Sequence, residues 1–183
     1  MKVQAICCAS FVQSVRRAAG VLPLLSPPLT LETFKPATLE GFDFLYFKLH
    51  GLPGQAFWYG DNWVTAMSAE QVRQVDLDHA GVFVANCHLY ENVGGQRVPG
   101  EMLRALMDAG ARFVVGGPGP NWALSKRVFG ADMLGWLFRG AIQRGYRPQA
   151  ALEAAKKRLR RGRQNRYIRD TLEFTMFERE LRA

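Results

Sequence analysis

The sequence predicts a three-layer α/β fold, a mostly parallel sheet with helices on both faces. Three short runs carry that expectation. Phe42–Leu49 (FDFLYFKL), Gly81–Asn86 (GVFVAN) and Arg112–Gly116 (RFVVG) are nearly continuous and apolar, the pattern of strands buried on both sides. Helical spacings separate them over residues 42–145, and strands alternating with helices build βαβ units. The 183 residues are 48% hydrophobic and 22% charged, close to a globular average. That composition excludes a mainly disordered chain, a collagen-like repeat and a small disulfide scaffold.

Residues 1–40 read as a short apolar start (Val3–Ala9), a helix over Val12–Ala19 and a proline-bearing loop through Pro36. The first buried strand ends in His50-Gly51, and Leu52-Pro53-Gly54 turns the chain. Phe57–Val64 is aromatic and alternating, with Gly60-Asp61-Asn62 as a hairpin signal. Ser68 and Gln71 make a capping box for a helix over Ala69–Val75. After the second strand, Glu91–Gly100 reads as a polar loop. Leu103, Leu106 and Met107 then share one face of a helix over Glu101–Asp108, which Gly110 stops. The third strand opens into Gly117-Pro118-Gly119-Pro120-Asn121-Trp122. Helices are predicted over Ala123–Gln143, over Gln149–Arg161 behind Pro148, and over Tyr167–Leu181.

The net charge is +8, and it is uneven: from Arg147 onward eleven Lys/Arg face five Asp/Glu, densest in Lys156–Arg169. A solvated helix face is one reading, and a patch for nucleic acid or an acidic partner is the other. Three cysteines without an export signal predict reduced thiols, with the neighbours Cys7 and Cys8 packed or on the surface. No apolar run reaches membrane-spanning length, so no membrane contact is expected and the cytoplasm is the expected location.

In open α/β sheets, ligands bind beyond the carboxyl ends of the strands. That rule selects His50, Cys87 and the Gly116–Trp122 loop. If their strands are neighbours, Cys87 and His50 emerge at one edge as a thiol nucleophile and its base. The thiolate attacks, a nearby imidazolium lowers the thiol pKa, and the base returns a proton to the leaving amine. Gly51 has no side chain, so its N–H can approach a substrate oxygen; with the Cys87 N–H it forms an oxyanion hole. The competing reading makes Cys87 a core cysteine and His50 a loop residue. His88 is a rival base that strand alternation turns away from Cys87, while His79 precedes its strand and reads as structural. Asp76 and Asp78 read as a solvated pair. Gly116-Gly117-Pro118-Gly119 lacks the GKS/T ending and the GxGxxG spacing, and Cys87-His88 lacks a second ligand pair. No cofactor and no metal are therefore expected. Trp122 serves equally well as a pocket wall or as core packing.

Taken in order, FDFLYFKLHG, GVFVANCHLYENVGG, GEMLRALMDAGARFVVGGPGPNWA and PQAALEAAKKRLR resemble the CHAT domain family, caspase-like cysteine peptidases often attached to tetratricopeptide repeats. The match falls on His50-Gly51, Cys87, the Val93-Gly94-Gly95 loop, Ala109-Gly110-Ala111-Arg112 and the segment from Gly145 to Leu159. This resemblance, over residues 40–160, implies a caspase-like fold, a Cys87–His50 dyad and endopeptidase activity on a protein or peptide substrate. It also implies substrate contacts at Trp122 and Asn121. The expected organisation is a single caspase-like domain over 1–183, with 161–183 as a basic helical extension. The family more often carries Ser-Ala-Cys where this chain has Ala85-Asn86-Cys87, and the loop at Trp122 lacks an acid, which leaves the P1 preference open. With no repeats present, a regulator is expected to be a separate protein chain, or the tail plays that part. The unusual neighbours of Cys87 motivate an alternative, an inactive caspase-like scaffold that binds partners and whose basic tail contacts nucleic acid.

Overall fold

The computed structural model describes residues 1–161 and 166–179. Strand β1 (Val3–Cys8) leads through α1 (Val12–Ala19) to β2 (Leu24–Ser26) and β3 (Phe44–Lys48). A small antiparallel sheet follows: β4 (His50–Gly51), β5 (Phe57–Tyr59) and β6 (Thr65–Ser68). Then come α2 (Ala69–Arg73), β7 (Gly81–Val84) and the hairpin β8 (Tyr90–Val93) with β9 (Gln96–Pro99). The chain continues through α3 (Glu101–Asp108), β10 (Phe113–Gly116), α4 (Ala131–Gln143), α5 (Pro148–Arg160), α6 (Arg166–Leu172) and β11 (Thr175–Glu178).

The main sheet has six strands in the order β11-β10-β7-β3-β1-β2. All pairings are parallel except β10 with β11. The apolar run of β3 is buried at every position because it lies inside this sheet, covered on both faces. Side-chain alternation splits it. Leu45 and Phe47 join Val82, Val84 and the helices α2 and α3 on one face. Phe44 and Tyr46 join Phe83, Phe138 and the helices α1, α4 and α5 on the other. The same alternation sends Cys7 and Cys8 to opposite faces, where both are buried free thiols. The result is the three-layer α/β architecture, with the carboxyl ends of β1, β3, β7 and β10 along one edge.

Four expectations are corrected. The strand expected over Gly81–Asn86 ends at Val84. There the Asn86 side chain replaces the ladder, its Oδ1 accepting the Leu49 N–H at 2.7 Å. Glu91–Gly100 is not a loop but mostly the β8–β9 hairpin, turned by Gly94 and Gly95 at φ 58° and 81°. Its residues are largely exposed, so no apolar alternation marks it. The helix expected from Ala123 begins only at Ala131, behind Gly130 at φ 54°, where a Cβ would strike the Trp122 carbonyl oxygen. The helix expected over Tyr167–Leu181 stops at Leu172. Buried Phe174 stacks on Phe83, and Thr175–Glu178 adds to the edge of β10, so sheet pairing overrides the helical spacing. Leu181 and residues 162–165 of the basic tail lie outside the described residues.

Candidate active site

Strand β3 lies between β7 and β1, with Phe47 opposite Val84 and Lys48 opposite Cys7. His50 therefore leaves the sheet with Cys87 beyond the neighbouring strand on one side and Cys8 at the strand end on the other. The backbone of β4 runs directly against the Cys87 loop: a Cβ on Gly51 would collide with the Cys87 carbonyl oxygen. Glycine is required there by close approach, as a site that brings two backbones together demands.

Cys87 is half-buried and held by the loop that follows β10. The Asn121 N–H donates to Cys87 Sγ at 3.2 Å, and Asn121 Nδ2 donates to the Asn86 carbonyl at 2.5 Å. The His88 and Leu89 N–H groups donate to the carbonyls of Gly119 and Gly117 at 3.2 and 3.0 Å. His88 has φ 53°, left-handed, so the strand alternation that turned it from Cys87 no longer governs it. Trp122, next along this loop, is 48% exposed. His79 is at the far end of β7, its exposed imidazole 3.1 Å from Asp78. Asp78 also receives an ion pair from Arg179 at 3.8 Å and directs its own N–H to Asp76 Oδ1 at 3.0 Å.

The half-buried imidazole of His50 is bordered by the rings of Phe11 and Trp63, at 6.2 and 5.0 Å between centroids. Asp61 stands beside it. Cys8 Sγ, one His50 ring nitrogen and one Asp61 carboxylate oxygen lie within 4.8 Å of one another. Asp61 is fixed in turn by Ser10, whose N–H and Oγ–H donate to its two oxygens at 2.7 Å each. Sequence reasoning saw only a hairpin signal here. The available clue was that hairpin: pairing of Tyr59 with His50 returns residue 61 to the histidine. Asn62 and Trp63 at φ 57° and 61° close the turn, and such left-handed non-glycine residues gather at sites that hold strain.

Burial lowers the pKa of His50, opposed by the Asp61 carboxylate and reinforced by the Lys48 ammonium. Burial, followed by the charge of Asp61, pushes the Cys8 thiol up to about 12. Burial, followed by the neighbouring Cys8, raises Cys7 further. Cys8 donates weakly to the Tyr59 carbonyl at 3.7 Å. Both thiols stay protonated at neutral pH. Beneath the site, buried Lys48 donates to the Ala85 carbonyl at 3.1 Å and stands 4.0 Å from buried Asp132. Asp132 accepts the Tyr46 hydroxyl at 2.7 Å.

The sheet order, the helices on both faces and the small hairpin sheet after the central strand define the caspase-like fold. The chain is similar to the Arg-specific cysteine proteinase gingipain R, with 14% identity and a TM-score of 0.60 over 96% of this chain and 46% of that one. It is also similar to the separase–securin complex of Saccharomyces cerevisiae, with 12% identity and a TM-score of 0.57 over 97% of this chain and 12% of that one. A third similarity is to a secreted C11 cysteine protease from Bacteroides thetaiotaomicron, at 8% identity and a TM-score of 0.51, over 96% and 65%. The chain thus spans less than two thirds of each of these proteins. At these identities the likeness is one of fold. No family model matches the chain, and a search of curated proteins returns no match. Among the described residues no helix is long and apolar enough to cross a membrane.

Proposed function

We propose that the chain is a caspase-like cysteine endopeptidase, of the CHAT type its motifs resemble, acting through Cys87 and His50. The observation that carries this reading is the parallel pairing of β3 with β7, which brings His50, Gly51 and Cys87 to one sheet edge. His50 takes the Cys87 proton, and the sulfur adds to the scissile carbonyl. The N–H groups of Gly51 and Cys87 receive the oxyanion. The imidazolium then protonates the leaving amine, and water hydrolyses the thioester with His50 again as base. Asp61 acts through His50, its nearby carboxylate favouring the charged form of the imidazole. Trp122 and Asn121 border the bound peptide, and a separate protein chain regulates access.

The test is cleavage of a diverse peptide library in reducing buffer by the wild type, Cys87→Ala and His50→Ala. Cleavage by the wild type alone is expected, and retained cleavage by Cys87→Ala would overturn the reading. The hold of Asn121 on the sulfur supports a second reading, a partner-binding scaffold with an engaged and idle thiol. Silence of the folded wild type in the presence of its isolated partners would favour that one.

A further inference from the structure

The proposed mechanism uses His50 and Asp61 but leaves Cys8 idle, although the three donor atoms lie within 4.8 Å of one another. Two donors on a tetrahedral ion with bonds of about 2.0–2.3 Å stand roughly 3.3–3.8 Å apart. The trio is therefore within about 1.0–1.5 Å of that spacing. Its members come from three places in the fold: the end of β1, the start of β4 and the turn after β5. Ser10 holds both oxygens of Asp61, the kind of outer partner that orients a ligand. Sulfur, imidazole and carboxylate together suit Zn²⁺, and three protein ligands leave one position for water.

We propose that Cys8, His50 and Asp61 form a Zn²⁺ site, and that the ion acts as an inhibitor rather than a cofactor. Neutral imidazole has one free nitrogen lone pair. Once that pair is given to the metal, none remains to accept the Cys87 proton. Binding releases one proton, from the Cys8 thiol, and replaces its hydrogen bond to Tyr59 with a sulfur–metal bond. Because that proton is released, affinity rises with pH. The inhibition half of the proposal rests on the peptidase reading; the binding half does not.

Co²⁺ added to the reduced, metal-stripped full chain reports binding without any catalysis. The Cys87→Ala protein is the background, so that the proposed nucleophile contributes no sulfur. A thiolate-to-cobalt charge-transfer band with the visible bands of a four-coordinate ion is expected there, displaced stoichiometrically by Zn²⁺. The band is expected to vanish in Cys8→Ser. Binding is expected to weaken by at least about 100-fold in Asp61→Asn, more than loss of an outer partner brings. Asp61 is partly exposed, so this second variant serves even if Cys8→Ser does not fold. Absence of the band in Cys87→Ala, or its survival in Asp61→Asn at unchanged affinity, overturns the site. If the band appears but the wild type cleaves nothing, the peptidase reading alone fails. If the wild type cleaves peptides at full rate with Zn²⁺ bound, inhibition alone fails.

Discussion

His50 stands between two thiols, and the environment separates them. Cys8 is fully buried and pushed up to about 12, whereas Cys87 is half-buried beside the Asn121 N–H. Brief alkylation of the native protein near neutral pH is expected to modify Cys87 alone, read by peptide mass spectrometry; Cys7 or Cys8 reacting at the same rate would contradict this assignment. The charge of Asp61 raises the His50 pKa, so Asp61→Asn is expected to lower it, an effect visible in an NMR titration of the imidazole. In the same variant kcat should fall roughly 10–100-fold with KM little changed, and the acid limb of the rate profile should move to lower pH. Because folded His50 binds its proton less readily than the unfolded chain, stability is lost as pH falls from 6.5 toward the lower folded value. His50→Ala should remove that slope from urea-unfolding measurements. Of these residues, His50 and Cys87 were legible as residues that follow buried strands. Asp61 was not, because its place beside His50 depends on the register of a three-residue strand, which no local pattern encodes.

At the scale of elements, β3 and β7 set the site and were legible because continuous apolar runs are hard to place anywhere but in a covered sheet. Helices α3 and α5 were legible too, to within a residue, from periodicity and from glycine or proline at their ends, and the helix expected over Val12–Ala19 matches α1. The β8–β9 hairpin and the start of α4 were missed for one reason: exposed strands and glycine-led loops carry no apolar period. Gly51→Ala tests the contact between β4 and the Cys87 loop. It is expected to destabilise by about 1–3 kcal/mol, as overpacking does, and to abolish cleavage while the thermal transition stays cooperative. Lys48→Met removes one member of the buried pair with Asp132 and leaves the buried carboxylate without its cation. A loss of about 3–5 kcal/mol in chemical denaturation is expected, and a change below about 1 kcal/mol would show that the pair is not buried as described.

At the scale of the whole molecule, two helical layers share one sheet, and residues 166–179 complete it rather than trail from it. Phe174 is the anchor, fully buried against Phe83, so Phe174→Ala is expected to cost about 3–5 kcal/mol in a single transition. A separate early transition would instead mark the tail as an independent unit. That return of the chain to the sheet edge escaped the sequence, since Thr175–Glu178 pairs with residues some sixty positions earlier. The overall sheet was readable from alternation; strand order puts His50 between two thiols, and burial singles out Cys87 as the proposed nucleophile. A library of peptidyl acyloxymethyl ketones, followed by intact mass and peptide mapping, tests that point directly. One adduct on Cys87 is predicted in the wild type, absent from Cys87→Ala and slowed at least about 100-fold in His50→Ala. An adduct on Cys8, or equal labelling of Cys87 without His50, would contradict the Cys87–His50 dyad.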